Sequence, residues 1–139
     1  RIYLGNLDAL RDWGDARDYV DGMWRILQHD TADDFVLATG EQHSVREFVE
    51  LAFGHVGRKI EWHGSGTDEQ GRDAATGTVL VEIDERYFRP TEVETLLGDP
   101  SKAAKALGWR HTTPFAKLVE DMMTSDLALL KQEGYHIQS

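Results

Sequence analysis

Short apolar runs alternate with longer amphipathic stripes along this chain, and that alternation constrains the fold more than any other feature of the sequence. Residues 2–4 and 79–83 are brief apolar-rich runs of the kind that form strands. Residues 45–55 and 115–130 repeat apolar side chains at helical spacing, and the first of these stripes follows the capping-box sequence SVRE at residues 44–47. The whole chain predicts about four helices and three or four short strands, and therefore a small mixed α/β domain.

The first helix is predicted over residues 15–28. Asp15 is placed to cap its first turn, and five apolar residues recur on one face, which we expect to be buried: Ala16, Val20, Met23, Trp24 and Leu27. Residues 35–38 form a four-residue apolar run that predicts a buried strand. Residues 63–77 are rich in Gly, Asp, Glu and Thr, which predicts a flexible or lid-like loop.

Composition excludes several classes of function. The 139 residues contain no cysteine, which excludes disulfide frameworks, thiolate metal sites and a cysteine nucleophile. With 25 Asp and Glu against 15 Lys and Arg, the net charge of −10 disfavours broad binding to nucleic acid or to an anionic membrane, since both need a basic field. The sequence also has no run of about 18 apolar residues and no leader-like segment. We therefore expect a cytoplasmic protein with neither nucleic acid nor membrane as a partner.

One compact domain over residues 1–139 is the default for a chain of this length. Its first residue is Arg1 rather than an initiator methionine, and residues 2–4 already look like a strand. We therefore expect the chain to be a fragment or a processed product of a longer protein.

Common catalytic patterns are missing from the sequence. The six histidines show no His-Glu-x-x-His spacing, so no zinc site is expected. The run GSGTDEQG at residues 64–71 lacks the third glycine of a dinucleotide-binding loop and the Gly-Lys-Ser/Thr ending of a P-loop, which leaves it as a flexible connection. No Gly-x-Ser-x-Gly elbow of a serine hydrolase occurs. The sequence thus predicts no metal ligand and shows none of these catalytic or nucleotide-loop patterns.

Two arginines flank a Trp-Gly turn at the start of the first helix. Arg11 follows a strand and a turn, where a guanidinium can offer two parallel N–H donors to a phosphate. The alternative for Arg11 is a salt bridge with Asp8, Asp12 or Asp15, and spacing alone leaves both interpretations open. Arg17 lies on the helix among several acids, and a structural ion pair is the better interpretation for it.

Another arginine and a carboxylate stand close together in RYFRPTEVE, residues 86–94. Pro90 biases Arg89 toward an extended backbone, and Glu92 could accept two hydrogen bonds from a diol such as a ribose. An arginine for phosphate and a carboxylate for sugar hydroxyls are the groups that a nucleotide needs. An ordinary surface loop with an Arg–Glu pair is the alternative, and the local sequence does not decide between them.

Two other kinds of residue have a structural and a ligand-binding interpretation. Asn6 could contact a base edge, but asparagine in a Gly-Asn turn usually serves the backbone. The tryptophans have apolar neighbours and are expected in the core or at its rim rather than as stacking platforms for bases: Trp13, Trp24, Trp62 and Trp109.

Four long strings carry a resemblance to a known family: LGNLDALRDWGDARDYVDGMW, FVLATGEQHSVREFVE, RYFRPTEVETLLGDPSKAAKALGW and EDMMTSDLALLKQEGY. Together they resemble the C-terminal part of GDP-mannose 4,6-dehydratase, a family in the extended short-chain dehydrogenase/reductase group of sugar-nucleotide enzymes. The resemblance covers nearly the whole chain and is weakest over residues 63–77. The long ordered patterns LGN-x-D-x-x-RDWG and YFRP-x-EVE-x-LLGDP make it specific.

The resemblance implies a longer parent protein in which an N-terminal Rossmann domain binds NADP and a smaller C-terminal domain binds GDP-mannose. Such a parent oxidises the hexose at C4, eliminates water across C5 and C6, and returns the hydride to C6. The product is GDP-4-dehydro-6-deoxy-mannose, on the route to GDP-fucose. Residues 1–139 would be the GDP-sugar-binding C-terminal domain with the Rossmann domain absent, and the parent is expected to be a homo-oligomer.

The candidate site residues follow from the same resemblance. Arg11 and Arg89 match the arginines that hold the GDP pyrophosphate and its surroundings. Glu92 matches the carboxylate at the ribose or guanine, while Asn6 and Leu7 lie on the segment that lines the nucleotide pocket. The family's glycine-rich cofactor loop, its Tyr-x-x-x-Lys pair and its catalytic Thr and Glu belong to the upstream part. We therefore expect this chain alone to be inactive, with an exposed, association-prone surface toward the Rossmann domain.

Two alternatives stay open. A related nucleotide-sugar reductase or epimerase would also use an arginine for the phosphate and a carboxylate for the sugar hydroxyls. The long RDWG and RPTEVE strings nevertheless favour the dehydratase. A non-catalytic, acidic interaction module is the alternative from a different class. Such a module should tolerate loss of Arg11 and Arg89, whereas a nucleotide site should not.

Overall fold

The computed structural model describes residues 1–87 and 95–134 of the chain. The helices and strands of this part follow the order β1 (Ile2–Leu4), β2 (Leu10–Arg11), α1 (Ala16–Gln28), β3 (His43–Ser44), α2 (Val45–His55), β4 (Ile60–His63), β5 (Gln70–Asp73), β6 (Val79–Ile83), α3 (Ser101–Leu107) and α4 (Phe115–Gln132). The predicted small mixed α/β domain is confirmed. Within the described residues, no helix is long and apolar enough to cross a membrane.

A four-stranded sheet in the order β1-β6-β5-β4 forms one layer of the domain. β1 runs parallel to β6, whereas β5 is antiparallel to both of its neighbours. Helix α2 covers the sheet, because its Val49 packs with Ile60 of β4 and Val81 of β6, and Val81 has no exposed surface. α4 packs in turn against α2. One part of the core therefore lies between the sheet and α2.

Part of the segment 63–77 forms strand β5 of this sheet, so the prediction of a flexible or lid-like loop is wrong. A 3₁₀ turn at Gly66–Asp68 leads into β5, which pairs with β4 on one side and β6 on the other. A Cβ on the buried Gly71 would lie 2.8 Å from Trp62 Cζ3 and 3.1 Å from Val81 Cβ. Glycine is therefore present at position 71 because the strand is closely packed, and not because it is flexible.

The apolar run at residues 35–38 is not a strand. It lies outside the helices and strands of the domain. Ala38 is buried and sits in close contact with Gly98, but Val36 is 54% exposed. The prediction of a buried strand is wrong for this part of the chain, although Ala38 does join the core.

Helix α1 has the predicted extent, with Asp15 as N-cap accepting a hydrogen bond from the Arg17 amide at 2.7 Å. The predicted buried face is wrong. All five apolar residues of that face are exposed, while Asp18 and Gly22 face the domain. The cause is the fully buried Trp109, whose Nε1 donates to the Asp18 carbonyl at 2.8 Å and lies against Gly22. A small residue at position 22 is what lets this ring approach the helix.

The tryptophans only partly follow the prediction of core or rim packing. Trp109 is in the core, and Trp13 packs on Phe48 with ring centroids 5.0 Å apart. Trp62 lies at the rim under the Arg46 guanidinium, 4.6 Å from its ring centroid. Trp24 contradicts the prediction, because it is 60% exposed.

Candidate functional site

Three of the predicted site residues, Asn6, Leu7 and Arg11, lie on one stretch of chain between β1 and the end of β2. Asn6 Oδ1 accepts a hydrogen bond from the Asp8 amide at 3.0 Å, which closes an Asx turn. Leu7 is 2% exposed, and its carbonyl accepts from the Arg46 amide at 2.9 Å. Asn6 thus shapes the backbone here and Leu7 anchors it to the core.

Arg11 is half-buried on the two-residue strand β2. Its strand pairs antiparallel with β3, so that Arg11 lies opposite His43 and Leu10 lies opposite Ser44. The Arg11 Nη1 donates to the Leu10 carbonyl at 2.8 Å. Ser44 is also the N-cap of α2, within a complete capping box. The backbone of Arg11 is therefore fixed to the start of a well-capped helix.

The other predicted site residues, Arg89 and Glu92, fall in the segment 88–94, outside the described residues. The residues on either side of that segment are described, and both sides lie against the stretch between β1 and β2. The Tyr87 carbonyl touches Gly5 so closely that any side chain at position 5 would clash with it. Downstream, Thr95 bridges to Leu10.

Two of the carboxylates that the sequence offers to Arg11 pair with other arginines. Asp8 Oδ1 accepts hydrogen bonds from Arg46 at 2.8 and 3.0 Å. Asp15 accepts two from the Arg17 guanidinium at 2.7 and 3.0 Å, and these bonds lower the pKa of Asp15 below its usual value. The structural interpretation of Arg17 is thereby confirmed.

The third carboxylate, Asp12, joins three segments. It accepts hydrogen bonds from the Thr39 amide (2.8 Å) and hydroxyl (2.7 Å), the Gly40 amide (3.0 Å) and the Gly98 amide (3.3 Å). Burial favours the neutral form, but these hydrogen bonds outweigh it and lower the pKa of Asp12. Sequence reasoning missed this role, because the partners are 27 to 86 residues away and leave no local pattern.

The amides at the start of α2 are already used by the protein. The first three of them donate to the carbonyls of Ala9 (3.3 Å) and Leu7 (2.9 Å) and to Ser44 Oγ (3.1 Å). Amides of this kind are the groups that bind a phosphate at a helix N-terminus. The start of α2 therefore offers none of its first three amides to an anion beside Arg11.

A cleft of about 440 Å³ opens beside His43 and is lined by Glu41, His43, Glu47, Glu50, Leu51, Pro114, Phe115 and Ala116. The His43 ring stacks on Phe115 with centroids 4.0 Å apart. Three glutamates give this cleft a negative field, which repels a pyrophosphate. Across residues 1–87 and 95–134, no group of three or more His, Asp or Glu side chains could hold a metal ion.

The sequence of the chain decides its family. A family profile described as GDP-mannose 4,6 dehydratase matches residues 1–122. The chain belongs to the GDP-mannose 4,6-dehydratase family. Curated relatives include the GDP-mannose 4,6-dehydratase of Sinorhizobium fredii (strain HH103), 57% identical over 130 residues, and GDP-mannose 4,6 dehydratase 2 of Caenorhabditis elegans, 55% identical over 132 residues. These matches cover 94% and 95% of this chain but 37% and 34% of the relatives, so the chain spans about a third of their length.

Solved structures share the fold of this family member. A putative epimerase from Burkholderia cenocepacia J2315 superposes with a TM-score of 0.71 at 25% identity, over 92% of this chain and 36% of that one. RMD from Pseudomonas aeruginosa, complexed with NADPH, superposes with a TM-score of 0.65 at 18% identity, over 88% and 34%. Identity above 50% with dehydratases outweighs these likenesses, and favours the dehydratase over the reductase or epimerase alternative.

Proposed function

We propose that a chain of the relatives' length that contains this sequence converts GDP-mannose to GDP-4-dehydro-6-deoxy-mannose, and that residues 1–139 form its GDP-sugar-binding domain. The observation that supports this is the 57% identity, over 94% of the chain, with a protein named for that activity. A place in GDP-fucose formation, a cytoplasmic location and a homo-oligomeric parent remain predictions. By itself the 139-residue chain should not turn over substrate.

In this proposal Arg11 and Arg89 hold the GDP pyrophosphate, and Glu92 accepts hydrogen bonds from the hydroxyls of the ribose or from the guanine. Two facts support Arg11. Its strand is fixed by β3, and the helix amides that could replace it as phosphate donors are engaged. A planar guanidinium suits this task because it presents two parallel N–H donors to phosphate oxygens. Asn6 and Leu7 shape the wall of the pocket.

The glycine-rich run at residues 64–71 does not fit a nicotinamide cofactor. Gly64 and Gly66 have φ values of 85° and 62° and turn the backbone into a 3₁₀ turn and β5, with no helix directly after them. A side chain on Gly64 would lie 2.7 Å from the Asp68 carbonyl, so this glycine is needed for a tight turn. We therefore propose that NADP is held by the part of a relative-length chain outside this sequence, and we assign no step to it here.

Calorimetric titration of the chain with GDP, with UDP as the comparison ligand, tests the site. We expect GDP to bind in preference to UDP. Arg11→Ala and Arg89→Ala should each weaken GDP binding by about ten-fold to a hundred-fold, the effect of losing a charged hydrogen-bond donor to phosphate. Glu92→Gln should weaken it too.

Arg17→Ala is the matched control, because Arg17 lies six positions from Arg11 but pairs with Asp15 and Asp121. It should lower the melting temperature and leave GDP affinity unchanged. A folded chain that binds no GDP, or that binds it equally well without Arg11 and Arg89, would contradict the proposed GDP site. In the second case groups other than these arginines would hold the GDP. The first case is the one expected of an interaction module, the alternative from a different class.

A further inference from the structure

Helix α1 carries its main apolar stripe on the side that faces away from the domain. The four larger side chains of this face, here named the α1 stripe, are Val20 (63% exposed), Met23 (58%), Trp24 (60%) and Leu27 (80%). They follow i, i+3, i+4, i+7 spacing, so they are neighbours on one surface. Single exposed apolar residues are ordinary in proteins, but a contiguous stripe that includes Trp and Met is typical of an interface.

The orientation of the helix is firmly set by polar contacts on its other side. The Asp18 carboxylate accepts from the Thr112 hydroxyl at 2.6 Å and from the Thr112 and Thr113 amides, both at 3.0 Å. At about 100° per residue, the centre of the α1 stripe lies roughly 170° from the side formed by Asp18 and Gly22. Rotating the stripe into the domain would break these bonds, so the stripe stays outside.

The size of the α1 stripe favours one kind of occupant. Even at roughly 150 Å² for each side chain, the four offer no more than about 600 Å². A typical complex of separate chains buries about 800 Å² on each partner, which is more than the stripe offers. A tether also raises the effective concentration of the two surfaces to the millimolar range, so a small patch suffices.

The relatives contain the polypeptide that could supply such a tethered partner. This chain matches 34% to 37% of their length, and the solved structures that share its fold extend well beyond it too. We propose that the α1 stripe is a docking surface for the other two thirds of a relative-length chain, and that this part buries it. The proposal rests on family membership and not on the nucleotide site.

Thiol labelling of a cysteine placed in the stripe tests this, because the chain itself has no cysteine. Leu27→Cys is introduced into the 139-residue chain at low micromolar concentration. It is also introduced into a full-length chimera, in which this chain replaces its matching segment in the Sinorhizobium fredii relative. The labelling rate of the peptide that contains residue 27 is followed by mass spectrometry. Ala128→Cys, at an exposed position of α4, is the matched control.

We expect Leu27→Cys to label at least ten-fold more slowly in the chimera than in the 139-residue chain, with equal rates for Ala128→Cys. Equal rates for Leu27→Cys in the two proteins would overturn the proposal. Protection that disappears on dilution of the chimera would also overturn it, since the occupant would then be a second copy. The same exchange into the Caenorhabditis elegans relative provides a second host. GDP-mannose turnover by the chimera reports on the proposed function separately.

Discussion

Single buried carboxylates join parts of this chain that are far apart in the sequence. Asp18 is 8% exposed and accepts three hydrogen bonds from Thr112 and Thr113, more than 90 residues away. Asp18→Ala would leave these donors without their partner, so we expect the free energy of unfolding to fall by about 2 kcal/mol. Urea denaturation followed by tryptophan fluorescence measures the loss. Asp126→Ala, at an exposed carboxylate of α4, should change stability by less than about 0.5 kcal/mol, and equal losses would contradict this role for Asp18.

The charge of Asp18 also predicts a dependence on pH. Burial opposes ionisation, but the hydrogen bonds from Thr112 and Thr113 outweigh it and lower the pKa of Asp18. A carboxylate with a lowered folded-state pKa stabilises the fold above its unfolded pKa of about 3.9, and this contribution disappears as the pH falls through the folded pKa. The stability difference between wild type and Asp18→Asn should therefore be constant above about pH 5 and shrink below about pH 4. Urea unfolding of both proteins across this pH range measures the stability difference. A difference that grows in acid would contradict the prediction.

At the scale of the elements, one glycine in β5 and one in α2 offer a test with opposite signs. A Cβ on Gly71 would lie within 3.1 Å of Trp62, Ile60 and Val81, so Gly71→Ala should destabilise by about 1 to 3 kcal/mol through overpacking. Gly54 lies in α2 with open space around it, so Gly54→Ala should stabilise by about 0.5 to 1 kcal/mol. Thermal unfolding of both variants decides the matter. If Gly71→Ala stabilised the protein, the close packing at position 71 would be contradicted and the interpretation of this segment as a flexible loop would be supported.

Elements whose signals lie within their own residues are the ones that the sequence predicts well. β1, β6 and α2 have the predicted bounds, because a local apolar pattern and a capping box specify them. β5 was missed because its sequence Gln-Gly-Arg-Asp has no apolar alternation, and its place depends on pairing with β4 and β6. The extent of α1 was predictable but its buried face was not, since an apolar stripe does not reveal which surface covers it.

In the candidate site, too, the features with a local sequence signal are predictable and those that depend on distant contacts are not. The position of Arg11 after a strand and turn is local information, and the structure does place it on the short strand β2. The role of Asp12 depends on contacts with Thr39 and Gly98, which only the folded chain brings together. Sequence alone therefore predicts where Arg11 lies, but not the carboxylate that organises the loops around it.

At the scale of the whole molecule, α1 has one face closed against the domain and one face open to water. Asp18, Gly22 and Trp109 close the inner side, while the α1 stripe leaves apolar surface in water. A chain without cysteine has no disulfide to support its fold. Each apolar side chain that becomes fully buried contributes about 1.5 to 3 kcal/mol, so docking on the stripe should stabilise the domain itself.

When it is left uncovered, the α1 stripe should make copies of the 139-residue chain associate weakly. The net charge of −10 opposes this contact, and salt screens that repulsion while leaving apolar burial intact. We therefore expect sedimentation equilibrium to show association that strengthens between about 0.05 and about 0.5 M NaCl, because the Debye length falls several-fold over that range. Leu27→Glu should abolish it, whereas Ala128→Glu, which adds the same charge on α4, should leave most of it. Association that weakens with salt, or that survives Leu27→Glu, would mean that charged groups or another surface hold the copies together.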